Sequence, residues 1–294
     1  MTFPFFLGKI ITKVFPGGKC QEKGMVTIAK IRVLVTGACG RMGQEVVKAV
    51  MKEEDLQLVG AVDTRRIGED IGVITGLGNT GIEVVGDLET AIRTLEPQVM
   101  VDFTVPAAVM GNARLALRHR VRPVIGTTGL GEKDLAELES LCREAGVGCV
   151  VAPNFAIGAV LMMHFAKLAA RYMPHVEIIE LHHDQKLDAP SGTALKTLAL
   201  IKEVRASTVQ GHAAEEEKIP GCRGGFFDGM RVHSVRLPGL VAHQEVIFGG
   251  EGQTLTIRHD SISRTSFMPG VVLAIRRIME RDELIYGLEK LLDL

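Results

Sequence analysis

The sequence has few cysteines, no excess of either charge and no long apolar run. Its five cysteines are an odd number, lie far apart and form no C-x-x-C pair. That argues against a disulfide framework or a zinc site and favours a reduced cytoplasmic setting. Lys plus Arg number 34 against 35 Asp plus Glu, so a net charge of −1 gives no support to nucleic acid or an anionic membrane as partner. No apolar run reaches the length of a transmembrane helix.

The length and the apolar content are enough for two domains. The chain has 294 residues, 46% of them hydrophobic, so a sizeable core can form. Near the start, Lys9 and Lys13 interrupt a weakly apolar segment, and no A-x-A-like cleavage site follows. We expect the folded domain to begin near Met25 and residues 1–24 to be an upstream extension, ordered poorly or not at all.

The first half alternates strand and helix patterns. Ile31–Thr36 is apolar enough for a buried parallel strand and runs into the glycine-rich turn Gly37–Gly43, after which a helix is predicted. A second strand, Leu56–Val62, ends at Asp63. Glycines let the backbone approach a pyrophosphate at the helix N-terminus, and the acid can accept hydrogen bonds from a ribose. This unit predicts dinucleotide binding, and a structural glycine turn in another α/β protein is the alternative.

The residues after Asp63 leave the choice of nucleotide open. Asp63 disfavours a 2′-phosphate by like charge, whereas Arg65 or Arg66 could accept one. Both arginines could equally be solvated loop charges. NADH and NADPH are therefore both candidate cofactors.

Further strands of the parallel sheet are predicted at Val99–Thr104, Pro123–Ile125 and Gly148–Ala152. Open parallel sheets bind their ligands at the carboxyl ends of the strands. The residues Gly126–Thr128 and Ala152–Phe155 follow two of these strands, so we expect both segments to line the nicotinamide side.

The second half has a different pattern. An apolar helix is predicted at Ile157–Tyr172 and a strand at Val176–Leu181. Three later strand-like runs separated by turns indicate an antiparallel or mixed sheet, at Met230–Leu237, Leu240–Phe248 and Thr254–His259. A sheet with one uncovered face often pairs with another subunit. An apolar helix starting at Val271 and an amphipathic helix at Leu284–Leu294 are expected to return to the first domain.

The fourteen residues Glu180–Thr193 contain the largest concentration of candidate catalytic and ligand-binding side chains. His182 and His183 are potential proton donors near neutral pH, and Lys186 supplies positive charge. Adjacent histidines on an extended segment point to opposite faces, and no H-E-x-x-H motif or cysteine pair accompanies them, so a metal site is not favoured.

The same stretch ends at a predicted helix start. Ser191 can cap the helix, which leaves the amides of Gly192 and Thr193 free to hold an anion such as a carboxylate. Proton donor, cation and anion cradle together predict a site for a small acidic molecule. A polar surface loop is the alternative.

From Ile31 to Leu294 the chain resembles the 4-hydroxy-tetrahydrodipicolinate reductase (dihydrodipicolinate reductase) family. The motifs that carry the resemblance are Gly37–Gly43, Val101–Thr104, Gly126–Gly129, Ala152–Phe155 and Glu180–Ala194. The resemblance implies an α/β protein with an N-terminal Rossmann domain (25–153 and 266–294). It also implies a C-terminal α+β domain with a mixed open sheet (154–265), through which a homotetramer would assemble.

The resemblance also implies an activity: NAD(P)H-dependent reduction of 4-hydroxy-tetrahydrodipicolinate, via dihydrodipicolinate, to tetrahydrodipicolinate in lysine and diaminopimelate biosynthesis. By the same likeness His182 is the proton donor and acceptor, Lys186 a second proton donor, and His183 a substrate contact. Gly192 and Thr193 would bind one substrate carboxylate. The nucleotide would be bound by Gly37, Ala38, Cys39, Gly40, Arg41, Met42, Asp63, Gly126, Thr127, Thr128, Ala152, Pro153, Asn154 and Phe155.

One departure bears on the cofactor. Some family members carry Glu-Arg where Asp63-Thr64 stand here, so only Arg65 or Arg66 could replace the family's contact to a 2′-phosphate. This favours NADH, with NADPH still usable. Another two-domain Rossmann dehydrogenase of a small acidic substrate is the competing interpretation, since the fold alone does not fix the substrate. A nicotinamide-sensing regulator is disfavoured, because no basic patch or helix-turn-helix is visible.

Overall fold

In the computed structural model, which describes residues 29–292 and 294, the chain forms one parallel and one mixed β-sheet. The parallel sheet has seven strands in the order β12-β6-β5-β4-β1-β2-β3. Its strands are β1 (Ile31–Thr36), β2 (Leu56–Val62), β3 (Val84–Val85), β4 (Val99–Asp102), β5 (Arg122–Ile125), β6 (Cys149–Val151) and the last strand of the chain, β12 (Leu284–Tyr286). Strands β3 to β6 flank β1 and β2 as in a dinucleotide-binding sheet.

Burial on both faces explains the composition of this sheet. Val33, Leu34 and Val35 of β1 are fully buried, as are Val99 and Val101 of β4. Parallel strands covered by helices on both sides read as continuous apolar runs for this reason. The helices associated with the sheet are α1 (Arg41–Lys52), α2 (Ile71–Thr75), α3 (Leu88–Leu95), α4 (Pro106–Arg118), α5 (Glu132–Ala145) and α8 (Met268–Arg277).

Helix α2 is a short element that the sequence pattern did not reveal. Asp70 caps it, with Oδ1 accepting hydrogen bonds from the amides of Gly72 (2.8 Å) and Val73 (3.1 Å). Five residues are too few to show an apolar period, so only the capping acid could have signalled this helix.

The second sheet has five strands in the order β11-β10-β7-β9-β8. The strands are β7 (His175–His182), β8 (Gly225–Phe227), β9 (Met230–Arg236), β10 (Ala242–Gly250) and β11 (Gln253–Ser261), and the helices α6 (Ile157–Ala169) and α7 (Gly192–Lys202) pack against them. Strands β7 and β9 are parallel and the other neighbours antiparallel, so the sheet is mixed. The predicted fold class, a Rossmann domain with a second mixed-sheet unit, is confirmed. Strand β8, which pairs antiparallel with β9, was not predicted from the sequence.

The two faces of this second sheet differ. Val176, Ile178 and Glu180 of β7 are buried, whereas Ile179 and Leu181, which point the other way, are only partly buried. One face of the sheet is therefore packed, and the other presents partly exposed apolar side chains.

The predicted amphipathic helix at Leu284–Leu294 is wrong. The segment instead forms β12, which pairs in parallel with β6, and then a 3-10 turn at Leu288–Leu291. Ile285, Leu288 and Leu291 are buried at a spacing of three residues, which imitates a helical period. Pairing with a distant strand decides the conformation.

The predicted extension, residues 1–24, lies outside the residues that the structure describes. Within residues 29–292, no helix is both long enough and apolar enough to cross a membrane.

Candidate active site

The glycine-rich turn leaves the end of β1 in a conformation that requires glycine. Gly37 has φ +70°, and a Cβ atom there would lie 2.6 Å from the carbonyl oxygen of Phe103. A Cβ on Gly43 would lie 2.0 Å from the carbonyl oxygen of Gly37, so the turn packs tightly on the start of α1. The absence of side chains at these positions keeps the turn open to a ligand's phosphates.

The N-terminus of α1 has the form of an anion cradle. Gly40 occupies the N-cap position and offers no side-chain cap to the amides of the first turn. Those amides, with the positive end of the helix dipole, suit a pyrophosphate. The predicted nucleotide residues from Gly37 to Met42 thus fit a dinucleotide.

Asp63 is tied directly to this turn. The residue is 8% exposed, and its carboxylate accepts hydrogen bonds from the amides of Cys39 (2.9 Å, to Oδ2) and Arg65 (3.0 Å, to Oδ1). Burial and the neighbouring Asp63 charge raise the pKa of the Cys39 thiol, which keeps it neutral. Asp63, Thr64 and Gly37 line one cleft, so the acid is placed beside the cradle, as a ribose contact requires.

The two arginines after Asp63 have different surroundings. The guanidinium of Arg66 binds the Glu69 carboxylate through two bonds, Nε–Oε1 at 3.0 Å and Nη2–Oε2 at 2.7 Å. Arg65 has only a long 3.4 Å contact from Nε to Asp63, and its side chain is 66% exposed at the rim of the cleft. Of the two, Arg65 is the better placed for an additional phosphate.

A fully buried carboxylate at the end of β4 forms hydrogen bonds that connect the ends of β4 and β5. Asp102, at the end of β4, accepts hydrogen bonds from the hydroxyls of Thr104 (2.7 Å) and Thr127 (3.0 Å) and from the amide of Asn112 (2.8 Å). It thereby fixes Thr127, a predicted nucleotide contact. We did not predict a role for Asp102, although an acid closing an apolar strand was its visible signal.

The predicted nicotinamide segments divide into buried and accessible residues. A Cβ on Gly126 would lie 2.1 Å from the ring of Phe103, which in turn lies 5.9 Å from the Phe155 ring, centroid to centroid. Ala152 and Phe155 are 1% exposed, so their side chains belong to the core. Thr128, Pro153 and Asn154 instead line a cleft that continues toward the second sheet.

The start of α7 forms a second anion cradle across this cleft. The hydroxyl of Ser191 accepts a hydrogen bond from the amide of Ala194 at 3.2 Å and so caps the helix as predicted. Gly192 and Thr193 begin the helix, and both residues line the cleft. Asn154 donates to the Thr193 hydroxyl at 3.5 Å, which links the two sheets at this point.

His182 is held by a carboxylate that we had not assigned a role. Nδ1 of His182 lies 2.5 Å from Oε2 of Glu180, which is fully buried. Arg236 binds the same carboxylate through Nη1 (3.0 Å) and Nη2 (2.7 Å). Burial alone would raise the pKa of Glu180, but the hydrogen bonds from His182 and Arg236 lower it to about 2. Glu180 is therefore a carboxylate at neutral pH.

Two lysines enter the same cleft, each paired with an acid. Nζ of Lys186, a predicted proton donor, lies 2.7 Å from Asp188, and this hydrogen bond lowers the pKa of Asp188. Nζ of Lys196 on α7 lies 2.8 Å from Glu289 of the C-terminal 3-10 turn. Lys196 was missed because it looks like an ordinary helix residue in the sequence.

One cleft therefore brings together four of the five predicted substrate and proton-transfer residues, namely His182, Lys186, Gly192 and Thr193. The predicted nucleotide residues Thr128 and Asn154 line the same cleft. His183 is exposed and is not among the residues that line this cleft, so its substrate contact stays a prediction. No group of three or more His, Cys, Asp or Glu side chains in the described part of the chain could hold a metal ion.

Two family models match the chain in sequence. A model described as "Dihydrodipicolinate reductase, N-terminus" matches residues 31–155, and one described as "Dihydrodipicolinate reductase, C-terminus" matches residues 158–292. A 4-hydroxy-tetrahydrodipicolinate reductase from Desulfitobacterium hafniense (strain DSM 10664 / DCB-2) is 58% identical over 265 residues, covering 90% of this chain and 99% of that protein. The reductase of the same name from Moorella thermoacetica is 56% identical over 266 residues, with the same coverage.

Solved structures agree with these matches. A dipicolinate-bound dihydrodipicolinate reductase from Paenisporosarcina sp. TG-14 is 52% identical, with a TM-score of 0.81 over 90% of this chain and 100% of that chain. An amine dehydrogenase from Mycobacterium smegmatis, 15% identical with a TM-score of 0.63 over 89% of this chain and 96% of that chain, shares the fold alone.

Proposed function

The chain belongs to the dihydrodipicolinate reductase family, and from this premise we propose that it is a NAD(P)H-dependent oxidoreductase of lysine and diaminopimelate biosynthesis. It reduces 4-hydroxy-tetrahydrodipicolinate, via dihydrodipicolinate, to tetrahydrodipicolinate. The observation that carries this proposal is the cleft shared by the carboxyl edge of the parallel sheet, His182 and the N-terminus of α7.

The nucleotide is held by the first sheet. Gly37 to Met42 cradle the pyrophosphate, Asp63 accepts from a ribose, and Gly126 to Thr128 with Ala152 to Phe155 border the nicotinamide through backbone and accessible side chains. When bound, the reduced nicotinamide supplies a hydride. Thr127, fixed by the buried Asp102, keeps this edge of the sheet rigid.

The proton comes from His182. Its Nδ1 is engaged with Glu180, so Nε2 is the ring nitrogen left for the substrate. Hydride addition to an unsaturated ring carbon leaves carbanion or enamine character beside it, which a positioned acid must quench. Lys186, at the same cleft, is the second proton donor.

The substrate is anchored through its carboxylates. The amides of Gly192 and Thr193 hold one of them at the helix N-terminus, and His183 completes the contact from the strand end. The relative from Paenisporosarcina sp. TG-14 binds dipicolinate, a dicarboxylate, which supports this class of ligand.

We propose the predicted domain division (25–153 with 266–294, and 154–265) and a homotetramer formed through the second sheet. Support comes from the face of β7 and β10 that carries Ile179, Leu181 and Ile247, all only partly buried. Light scattering should give a mass four times that of the chain, and Ile247→Asp should lower it. We place the enzyme in the cytoplasm, where the reduced nicotinamide pool is available.

The activity is tested by following NADH and NADPH absorbance in parallel with the product of dihydrodipicolinate synthase as substrate. His182→Ala should lower kcat by about 10²- to 10⁴-fold with little change in nucleotide affinity. His175→Ala, an exposed histidine at the other end of β7, is the control and should leave kcat unchanged. Failure of the wild type to oxidise either nucleotide would contradict the proposal.

A further inference from the structure

The cleft contains a second lysine in a position that faces the substrate cradle. Lys196 lies three residues after Thr193 on α7, so the two side chains share one face of the helix. Both residues line the same cleft as His182 and Lys186. A cation on this face is therefore directed toward the place where Gly192 and Thr193 hold a carboxylate.

The partner of Lys196 comes from the other end of the chain. Glu289 belongs to the 3-10 turn after β12, which Leu288 and Leu291 anchor in the core, and the amide of Gly287 donates to Val151 of β6 at 2.9 Å. Glu289 is thus carried by the parallel sheet, and its 2.8 Å bond to Lys196 crosses to the helix of the second sheet.

Both lysines of the cleft are charged groups with replaceable partners. Lys196 and Glu289 are 35% and 38% exposed, and the Asp188 that pairs with Lys186 is 61% exposed. Ion pairs with this exposure contribute little to stability, so a bound carboxylate can take the place of either acid. Lys196 therefore adds an exchangeable cation beside the α7 amides, and together they offer separate positions for two carboxylates.

We propose that Lys196 binds the second carboxylate of the substrate, exchanging Glu289 for the ligand, and so makes the site specific for dicarboxylates. The proposal rests on the proposed function for the identity of the ligand. One carboxylate lies on the α7 amides and the other pairs with Lys196. When the substrate lacks the second carboxylate, Lys196 stays paired with Glu289 and contributes no binding free energy.

Calorimetric titration with dipicolinate and with picolinate, its monocarboxylate analogue, tests the proposal in the presence of NADH. Lys196→Met should weaken dipicolinate binding by about tenfold to a hundredfold and picolinate binding by less than about threefold. Lys196→Arg keeps the charge and should stay close to the wild type. Lys202→Met, on the exposed end of the same helix and paired with Asp228, is the matched control.

Glu289→Gln separates ligand binding from a merely structural ion pair. If Lys196 is an anchor, removing its competing carboxylate should leave dipicolinate binding equal or tighter. If the pair only joins the two sheets, Glu289→Gln and Lys196→Met should weaken binding alike, and the proposal is overturned. It is also overturned if Lys196→Met binds dipicolinate as the wild type does.

Turnover by the wild type is scored separately. A wild type that oxidises NADH with the substrate while Lys196→Met keeps its KM contradicts only the role of Lys196. A wild type without turnover contradicts the proposed function, and the titrations still decide whether Lys196 recognises a second carboxylate.

Discussion

The imidazole Nδ1 of His182 lies 2.5 Å from a carboxylate oxygen of Glu180, two residues earlier on the same strand. Residues two apart on a strand point to the same face, which here is the buried face of β7. Arg236, from the neighbouring parallel strand β9, holds the other side of this carboxylate. In the proposed mechanism, Glu180 is therefore a positioning residue: it fixes the ring through Nδ1 and leaves Nε2 for the proposed proton transfer.

Replacing this carboxylate should impair chemistry rather than binding. Glu180→Gln keeps the shape but removes the charged acceptor that orients the ring, so kcat should fall by about 10- to 1,000-fold. Steady-state kinetics should show KM for substrate and nucleotide within about threefold of the wild type. Glu203→Gln, at the exposed end of α7, is the control. A kcat within twofold of the wild type would show that Glu180 does not position His182.

The same residue should govern stability in acid. The pKa of Glu180 is lowered from an ordinary 4.5 to about 2, so its stabilising contribution is complete above pH 4.5 and is lost as the pH falls toward 2. For this fully buried group the shift corresponds to about 3 kcal/mol. Chemical unfolding of the wild type and Glu180→Gln at one protein concentration, from neutral pH to about pH 3, should show a smaller loss in the variant. Parallel acid profiles would contradict this.

The glycine turn gives a prediction with an internal control. Gly37→Ala forces a side chain into φ +70° and against the Phe103 carbonyl at 2.6 Å, so it should destabilise the protein by about 1–3 kcal/mol and weaken NADH binding. Gly111→Ala, at an open and exposed position in α4, should stabilise the protein by about 0.5–1 kcal/mol and leave NADH binding unchanged. Thermal unfolding and nucleotide fluorescence titration measure both effects. Normal NADH binding by Gly37→Ala would contradict the cradle.

Local patterns predicted the fold where the structure is itself local. The turn Gly37–Gly43, its two flanking strands and Asp63 occupy about thirty consecutive residues, and the strands β1 and β2 have the limits that the sequence predicted. Strand β12 could not be predicted, because the burial of Ile285, Leu288 and Leu291 fits a helical period equally well. Only the pairing of this segment with the distant β6 shows that it is a strand and not a helix.

The grouping of the candidate site residues in space was predictable to the same extent, while their roles stay predictions. His182, Lys186, Gly192 and Thr193 fall within one short stretch, and the structure places all four around one cleft. The groups that we missed depend on distant partners: Arg236 is 56 residues from Glu180, and Glu289 is 93 residues from Lys196. Contacts between residues so far apart leave no periodic pattern in the sequence. The positioning of the His182 ring and the place of Lys196 in the cleft are therefore visible only in the three-dimensional structure.

The choice between the two nucleotides should depend on Arg65. A 2′-phosphate would lie near Asp63, whose negative charge opposes it, and the exposed guanidinium of Arg65 is the nearby cation with only a long 3.4 Å contact to that acid. Arg65→Ala should therefore raise KM for NADPH by about tenfold and change KM for NADH by less than about twofold. Arg66 is engaged by Glu69, so Arg66→Ala should affect neither nucleotide by more than about twofold.

Ionic strength provides an independent check on this assignment. Arg65 is solvent-exposed, so added salt should screen its attraction for the extra phosphate and raise KM for NADPH in the wild type. The same salt should have little effect on KM for NADPH in Arg65→Ala, because the responsible charge is gone. NADPH kinetics that respond to Arg66→Ala and not to Arg65→Ala would assign the contact to the other arginine. That outcome would require the Arg66–Glu69 pair to open when the nucleotide binds.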